Sequence, residues 1–190
     1  MNIKKTLKKT WDFIWNDDSL LSWIVNVVLA FILVKFIIYP GLGLLLGTTH
    51  PVVAVVSNSM EHHGMGFDNW WENNKQLYED LGISTENFTS YKFKNGLNKG
   101  DLVVIIGTDD IKLGDLIVFR GNAPGPIIHR VIKIDQSVNK IYIQTKGDNN
   151  AGSRTDEFGI TEDRIIGKAV FRIPYLGWVK LGFLKLIGKA

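Results

Sequence analysis

The chain has 190 residues, 45% of them hydrophobic and 22% charged, with a formal net charge of +3 and no cysteine. That leaves room for one ordinary domain with attachments. The missing cysteine excludes a disulfide framework, a thiolate nucleophile and any cysteine-held metal. The charge is unevenly spread: residues 1–16 carry +3 through Lys4, Lys5, Lys8 and Lys9 against Asp12, and residues 173–190 carry +3 through Lys180, Lys185 and Lys189. Everything between nets −3. A nucleic-acid binder needs a basic face beside its reading elements, so this distribution argues against nucleic acid as a partner. Basic ends flanked by apolar residues point instead to an anionic membrane surface.

In chain order, Ile3, Leu7, Trp11 and Ile14 recur at helical spacing, which predicts an amphipathic interfacial segment over residues 1–19. An apolar run of twenty residues, Leu20 to Tyr39, then reaches far enough at ~1.5 Å per residue to cross a bilayer. Asn26 and Lys35 are polar blemishes in it, and Lys35 lies near the far end, where its stem can snorkel. Trp23 and Tyr39 occupy aromatic-belt positions. Pro40 and Gly41 are expected to break the helix, which sets the anchor at residues 20–40. A buried core helix and a cleavable leader are the rival readings. The run is long and no small-x-small site follows it promptly, so an uncleaved anchor is preferred. The lysines ahead of it put the N-terminus in the cytoplasm and residues 50–172 outside.

From residue 51 the pattern changes to short β-type runs bounded by Gly, Asn or Asp. These are Pro51–Val56, Leu102–Ile106, Asp115–Phe119, Ile127–Ile132, Ile141–Gln144 and Ile165–Phe171. They predict a mainly β domain, an antiparallel sheet or barrel. A Gly-Asp-Leu phrase opens at Gly100 and again at Gly114, as two strands entered from similar turns would require. Residues 61–98 read as an insertion with one or two short helices, whose Trp70 and Trp71 pack on the sheet or help cover a substrate or lipid surface. The last stretch, 173–190, is apolar with spaced lysines and too short to span. It predicts an amphipathic helix on the membrane surface, with a core helix as the alternative.

Three segments carry residues capable of chemistry: Ser57-Asn58-Ser59-Met60, His129-Arg130, and the polar loop from Gly147-Asp148 through Ser153, Arg154, Asp156 and Glu157. A serine hydroxyl needs a base within hydrogen-bond reach, and the base needs a carboxylate to fix its tautomer. Spacing alone makes this trio weak evidence, because a turn serine and a hydrogen-bonded sheet histidine account for the same residues. Adjacent His62 and His63 supply too few ligands for a metal site.

Taken in order, the anchor, Ser57-x-Ser59-Met60, Gly114-Asp-Leu-Ile-Val-Phe119, Ile128-His-Arg-Val131 and Lys146-Gly-Asp-Asn-Asn150 resemble a type I signal peptidase. The His129-Arg130 pair resembles the archaeal and endoplasmic-reticulum branch. The resemblance implies a signal-peptidase-like β-domain, Ser59 as nucleophile, His129 as general base, and an oxyanion hole from Ser57 with the Ser59 N–H. It implies an acid from the Gly-Asp-Asn loop. Asp156 is the favoured triad member although it lies further along the loop than that branch usually has it, and Asp148 is the loop-organising or partly catalytic alternative. Glu61-His62 stands where the family usually has x-Pro.

The implied reaction is removal of N-terminal signal peptides from exported preproteins, with no cofactor and no metal. The implied partners are those preproteins, the lipid bilayer and the export machinery, at a cell membrane crossed once. The substrate is expected to add as a strand beside Pro51–Val56, with Val52, Val53, Val55 and Val56 walling its pockets. The alternatives are a non-enzymatic membrane-anchored β-domain, acting as an adaptor or surface-binding module, and an anchored peptidase of narrower specificity.

Overall fold

The computed structural model of the chain describes residues 3–122, 124–137, 140–186 and 188. It divides into two units, Met1–Leu45 and Leu46–Ala190.

The first unit is helical. Helix α1 (Ile3–Trp15) leaves Ile3, Leu7, Trp11 and Trp15 exposed. Ser19 caps the next helix, α2 (Leu20–Leu33), by accepting from the Ser22 N–H. The apolar helix does not stop at Pro40. It passes through a π-helical turn, Val34–Ile38, into α3 (Tyr39–Leu45), so that Leu20–Leu45 is one 26-residue helix long and apolar enough to span a membrane. The π turn explains how Pro40 is tolerated: proline cannot donate to the carbonyl one α-turn back, and widening the helix just before it relieves that mismatch. Asn26 also has a use. Its amide donates to the Ile14 carbonyl at 2.8 Å while Ser22 Oγ donates to the Phe13 carbonyl at 2.6 Å, so the span's polar side chains cap the last turn of α1.

The second unit is built on one six-stranded antiparallel sheet, ordered β1-β2-β6-β3-β4-β5. Its strands are β1 (Val52–Ala54), β2 (Leu102–Ile106), β3 (Leu116–Arg120), β4 (Pro126–Ser137), β5 (Lys140–Lys146) and β6 (Ile165–Ile173). The run Leu116-Ile-Val-Phe119 is apolar without alternation because β3 is covered on both faces. Leu116 and Val118 join a core with Val53, Val103 and Ile105, and Ile117 and Phe119 join another with Val131 and Ile143. The two Gly-Asp-Leu phrases do enter their strands alike. Asp101 accepts from the Asn98 N–H and pairs with Arg172 of β6; Asp115 accepts from the Lys112 N–H and pairs with Lys168 of β6.

The insertion contains α4 (Phe67–Glu79) and α5 (Thr85–Ser90), the latter opened by a capping box at Ser84. Trp70, Trp71, Tyr78, Ile83 and Phe88 form a third core, closed against Ile132 of β4. At the C-terminal end, α6 (Trp178–Leu186) buries Leu181 but leaves Trp178, Val179 and Leu186 exposed, as are Tyr175 and Leu176 just before it.

Candidate active site

Ser59 follows the β1 edge strand, whose one strand partner is β2. His129 lies in β4, register-paired with Ile117. The first half of β4, Pro126–Arg130, pairs with β3, and the second half, from Arg130, pairs with β5. Neighbouring strand residues face opposite ways. His129 and Arg130 therefore serve different partners, Ser59 for the first and Asp148 for the second.

Ser59 Oγ lies 2.9 Å from His129 Nε2, within ordinary hydrogen-bond reach. His129 Nδ1 is hydrogen-bonded to Glu157 Oε1. A carboxylate on Nδ1 sets that nitrogen as donor and leaves Nε2 to accept from the Ser59 hydroxyl. Ser57 Oγ lies 3.1 Å from Ser59 Oγ. Gly147 passes so close that a Cβ there would stand 2.7 Å from the Ser59 carbonyl and 2.9 Å from His129 Nε2, so only glycine fits.

The acid differs from the sequence expectation. Asp156 does not reach His129: its Oδ2 accepts from the Asn122 backbone N–H at 3.0 Å, and Arg154 Nε stands 3.4 Å from its Oδ1. The Asn122 N–H, followed by the Arg154 charge, holds the Asp156 carboxyl below its usual value. Asp148 does not reach His129 either. It is fully buried and bound bidentately by Arg130, whose Nε and Nη2 donate at 2.8 and 2.6 Å. Burial pushes the Asp148 carboxyl up, but the Arg130 guanidinium overrides it and holds the group well below the usual carboxylate range.

The carboxylate behind His129 belongs to Glu157, one of several polar residues of that loop. It closes a 3₁₀ turn, Thr155–Glu157, and is fully buried. Thr145 Oγ1 donates to its Oε1 at 3.1 Å and the Arg154 N–H to its Oε2 at 2.7 Å. Both oxygens are thus committed before any substrate arrives. Spacing could not choose between adjacent acids; the turn does, sending one outward to Asn122 and the other inward.

Beside Ser59 runs a groove of ≈ 270 Å³ between β1 and the first half of β4, walled by Val53, Ala54, Val55, Val56, Ile127 and Ile128. Asn150 and Arg154 are the polar members of its lining at the loop side. Three of the four expected valines line it, but Val52 does not. The β4 contribution has no local sequence signal, because bringing the serine segment and the histidine strand to opposite sides of one groove is a tertiary event.

His62 and His63 do not converge on a shared ligand position. His62 is hydrogen-bonded to Asp148 and His63 to Asn149. Among the described residues no group of three or more His, Asp or Glu side chains is placed to hold a metal.

Lys146, at the end of β5, is buried and donates to the Gly147 and Asp148 carbonyls at 3.0 and 3.3 Å. Burial pushes its ammonium down to about 8, against the pull of Asp148. In the unfolded chain the same group keeps its proton to about pH 10.4. Between those values the unfolded state binds the extra proton, so this residue makes stability rise with pH, by up to about 3 kcal/mol. Urea unfolding from pH 7 to 10 is expected to show that rise in the wild type and to lose it in Lys146→Met.

No family model matches the chain. It is similar to the signal peptidase complex catalytic subunit sec11 of Schizosaccharomyces pombe, 28% identical over 168 residues, covering 85% of this chain and 81% of that protein. The Lachancea thermotolerans subunit SEC11 is 26% identical over 156 residues, 77% of this chain and 73% of the relative. The human subunit SEC11C is 28% identical over 156 residues, 76% and 62% respectively. These relatives are catalytic subunits of the signal peptidase complex, and the likeness agrees with the resemblance to type I signal peptidases of the endoplasmic-reticulum branch. The chain's six-stranded antiparallel sheet, N-terminal apolar helix and small helices agree with a signal-peptidase-like fold. Among the described residues one helix, Leu20–Leu45, is long and apolar enough to cross a membrane.

Proposed function

We infer that the chain is a membrane-bound serine endopeptidase that removes N-terminal signal peptides from preproteins. One observation carries the catalytic assignment: Ser59, His129 and Glu157 form an unbroken hydrogen-bonded line beside an apolar groove. Ser59 Oγ attacks the scissile carbonyl while His129 Nε2 takes its proton. Glu157 keeps the imidazole in the reactive tautomer and stabilises the imidazolium, as the acid does in other serine triads. Ser57 Oγ and the Ser59 N–H face the developing oxyanion; donors held there act on charge that exists only in the transition state. His129 then returns the proton to the leaving amine, and water releases the acyl-enzyme. The groove between two strands suits an extended peptide pairing beside β1, with small side chains against Val53, Ala54 and Ile128.

Leu20–Leu45 anchors the enzyme in the cell membrane, with the N-terminal lysines on the cytoplasmic side and the catalytic domain outside. The exposed Leu176, Trp178 and Val179, with Lys180 and Lys185 beside them, support α6 as a segment lying on the lipid surface. Sharing a membrane with the preprotein raises effective concentration without new contacts. The export machinery is a further partner that can deliver preproteins to this site.

The test is proteolysis in a bilayer. The full chain, reconstituted into phosphatidylethanolamine–phosphatidylglycerol vesicles, is expected to cut a model preprotein after a small residue at the end of its signal peptide, as read by N-terminal sequencing. A preprotein left intact, or cut elsewhere, overturns the assignment.

A further inference from the structure

Residues 61–98 remain without a role in the chemistry, yet they reach its supports. Asp148 is held by four side-chain hydrogen bonds. Arg130 supplies two, His62 Nε2 supplies one at 3.1 Å to Oδ2, and Tyr78 OH supplies one at 3.3 Å to Oδ1. The insertion therefore provides half of them. It also braces Arg130, whose Nη2 donates to the Phe93 carbonyl at 2.9 Å and whose guanidinium lies 4.6 Å from the Phe88 ring centroid.

His62 is the tightest element of this brace. Its ring stacks on Trp70 with centroids 3.7 Å apart and planes 5° from parallel. Behind it, a Cβ at Gly96 would stand 2.8 Å from its Cδ2 and 3.0 Å from its Nε2. The residue is 2% exposed, and its Nδ1 has no hydrogen-bond partner among the described residues. With a carboxylate at Nε2 and none at Nδ1, the tautomer that satisfies Asp148 carries its proton on Nε2. Leaving a buried polar atom unpartnered is costly, so an apolar side chain would suit this slot better unless the other nitrogen has work to do.

The work lies one residue away. The Asn149 N–H donates to the Ser59 carbonyl at 2.9 Å and Asn149 Nδ2 to the Asn58 carbonyl at 3.1 Å, while Gly147 abuts both Ser59 and His129. The Asp148 carboxylate is the anchor of this loop. We propose that His62 is a positioning residue which, through Asp148, holds the Gly147–Asn150 loop in register with Ser59 and His129, so that the insertion is the foundation of the active site. A nucleophile misplaced by as little as ~1 Å can cost on the order of 10²-fold in rate. The loss falls on the chemical step more than on substrate binding, because the apolar groove walls are on the Val53–Val56 segment and β4, and Asn150 is the loop's one contribution to the lining.

The inference rests on the proteolytic reading, so Ser59→Ala is run beside it in the same vesicles with the same preprotein. His62→Phe keeps a stacking ring and removes the donor; His62→Gln keeps a donor. His62→Phe is expected to lower kcat by about tenfold or more with KM nearly unchanged, and His62→Gln to restore most of kcat. In the wild type, proton–nitrogen correlation spectra of the His62 ring are expected to show the Nε2–H. A kcat for His62→Phe within about twofold of wild type while Ser59→Ala is inactive overturns this inference alone. Loss in His62→Gln equal to that in His62→Phe also overturns it. So does a ring protonated only on Nδ1, whether or not either variant folds. Activity in Ser59→Ala overturns the proteolytic reading itself.

Discussion

Ser59→Ala is expected to leave a vesicle-inserted preprotein uncut, with kcat reduced by roughly 10⁶-fold, the scale seen when a serine triad loses its nucleophile. The reason is geometric as well as chemical. Ser59 Oγ sits 2.9 Å from His129 Nε2, whereas Ser57 Oγ, 3.1 Å from Ser59 Oγ, serves in the proposed mechanism as an oxyanion donor and not as a substitute nucleophile. Whatever rate remains measures binding and oxyanion stabilisation without covalent catalysis. His129→Ala is expected to cost about as much, and the double variant little more than either single one, because residues that act as a unit lose their effect together. Quantified appearance of the mature product over time checks all three. Retention of more than about a hundredth of wild-type kcat in Ser59→Ala would remove this serine from the mechanism.

Glu157→Gln is expected to lower kcat by about 10³–10⁴-fold, the penalty for offering the base a group that no longer fixes its tautomer. The fold around it should persist, because an amide of the same shape can still meet Thr145 and the Arg154 N–H. Asp156→Asn is expected to stay within a few-fold of wild type, since that carboxyl serves Asn122 and Arg154 rather than the imidazole. Asp148→Asn is expected to lower stability as well as kcat, because that carboxylate anchors the loop behind Ser59. The substitution removes the charge paired with a fully buried guanidinium, and breaking such a pair costs about 3–5 kcal/mol. Chemical denaturation alongside single-turnover kinetics separates the three acids. If Asp156→Asn were the slow variant and Glu157→Gln the active one, the orienting acid would return to Asp156.

The sequence carried much of this already, for identifiable physical reasons. Leu20–Tyr39 is legible because length and apolarity alone decide whether a helix can cross a bilayer. The strands around Leu102, Leu116, Ile127, Ile141 and Ile165 are legible because β-branched runs between turn residues have few other uses. The serine and histidine stood out through the ordered motifs around them, where chemistry restricts the residue type. Pro40 misled because a local rule about proline ignores the option of a π turn just before it. Val52 lies outside the groove because the stretch that lines it begins one residue later and runs from Val53 to Val56 without alternation.

Residue order alone yields an inventory: an apolar span, a β-domain, a serine, a histidine and a loop holding several acids. Which acid stands behind the histidine is decided only in three dimensions. Asp156 and Glu157 are neighbours with the same charge, and one 3₁₀ turn sends the first to a backbone amide at the rim and the second, one methylene longer, into the buried space behind His129. The insertion's part is likewise tertiary. His62 and Asp148 are separated by 86 positions in the chain, and no local pattern marks a ring that meets its carboxylate only after the sheet and the aromatic core have closed.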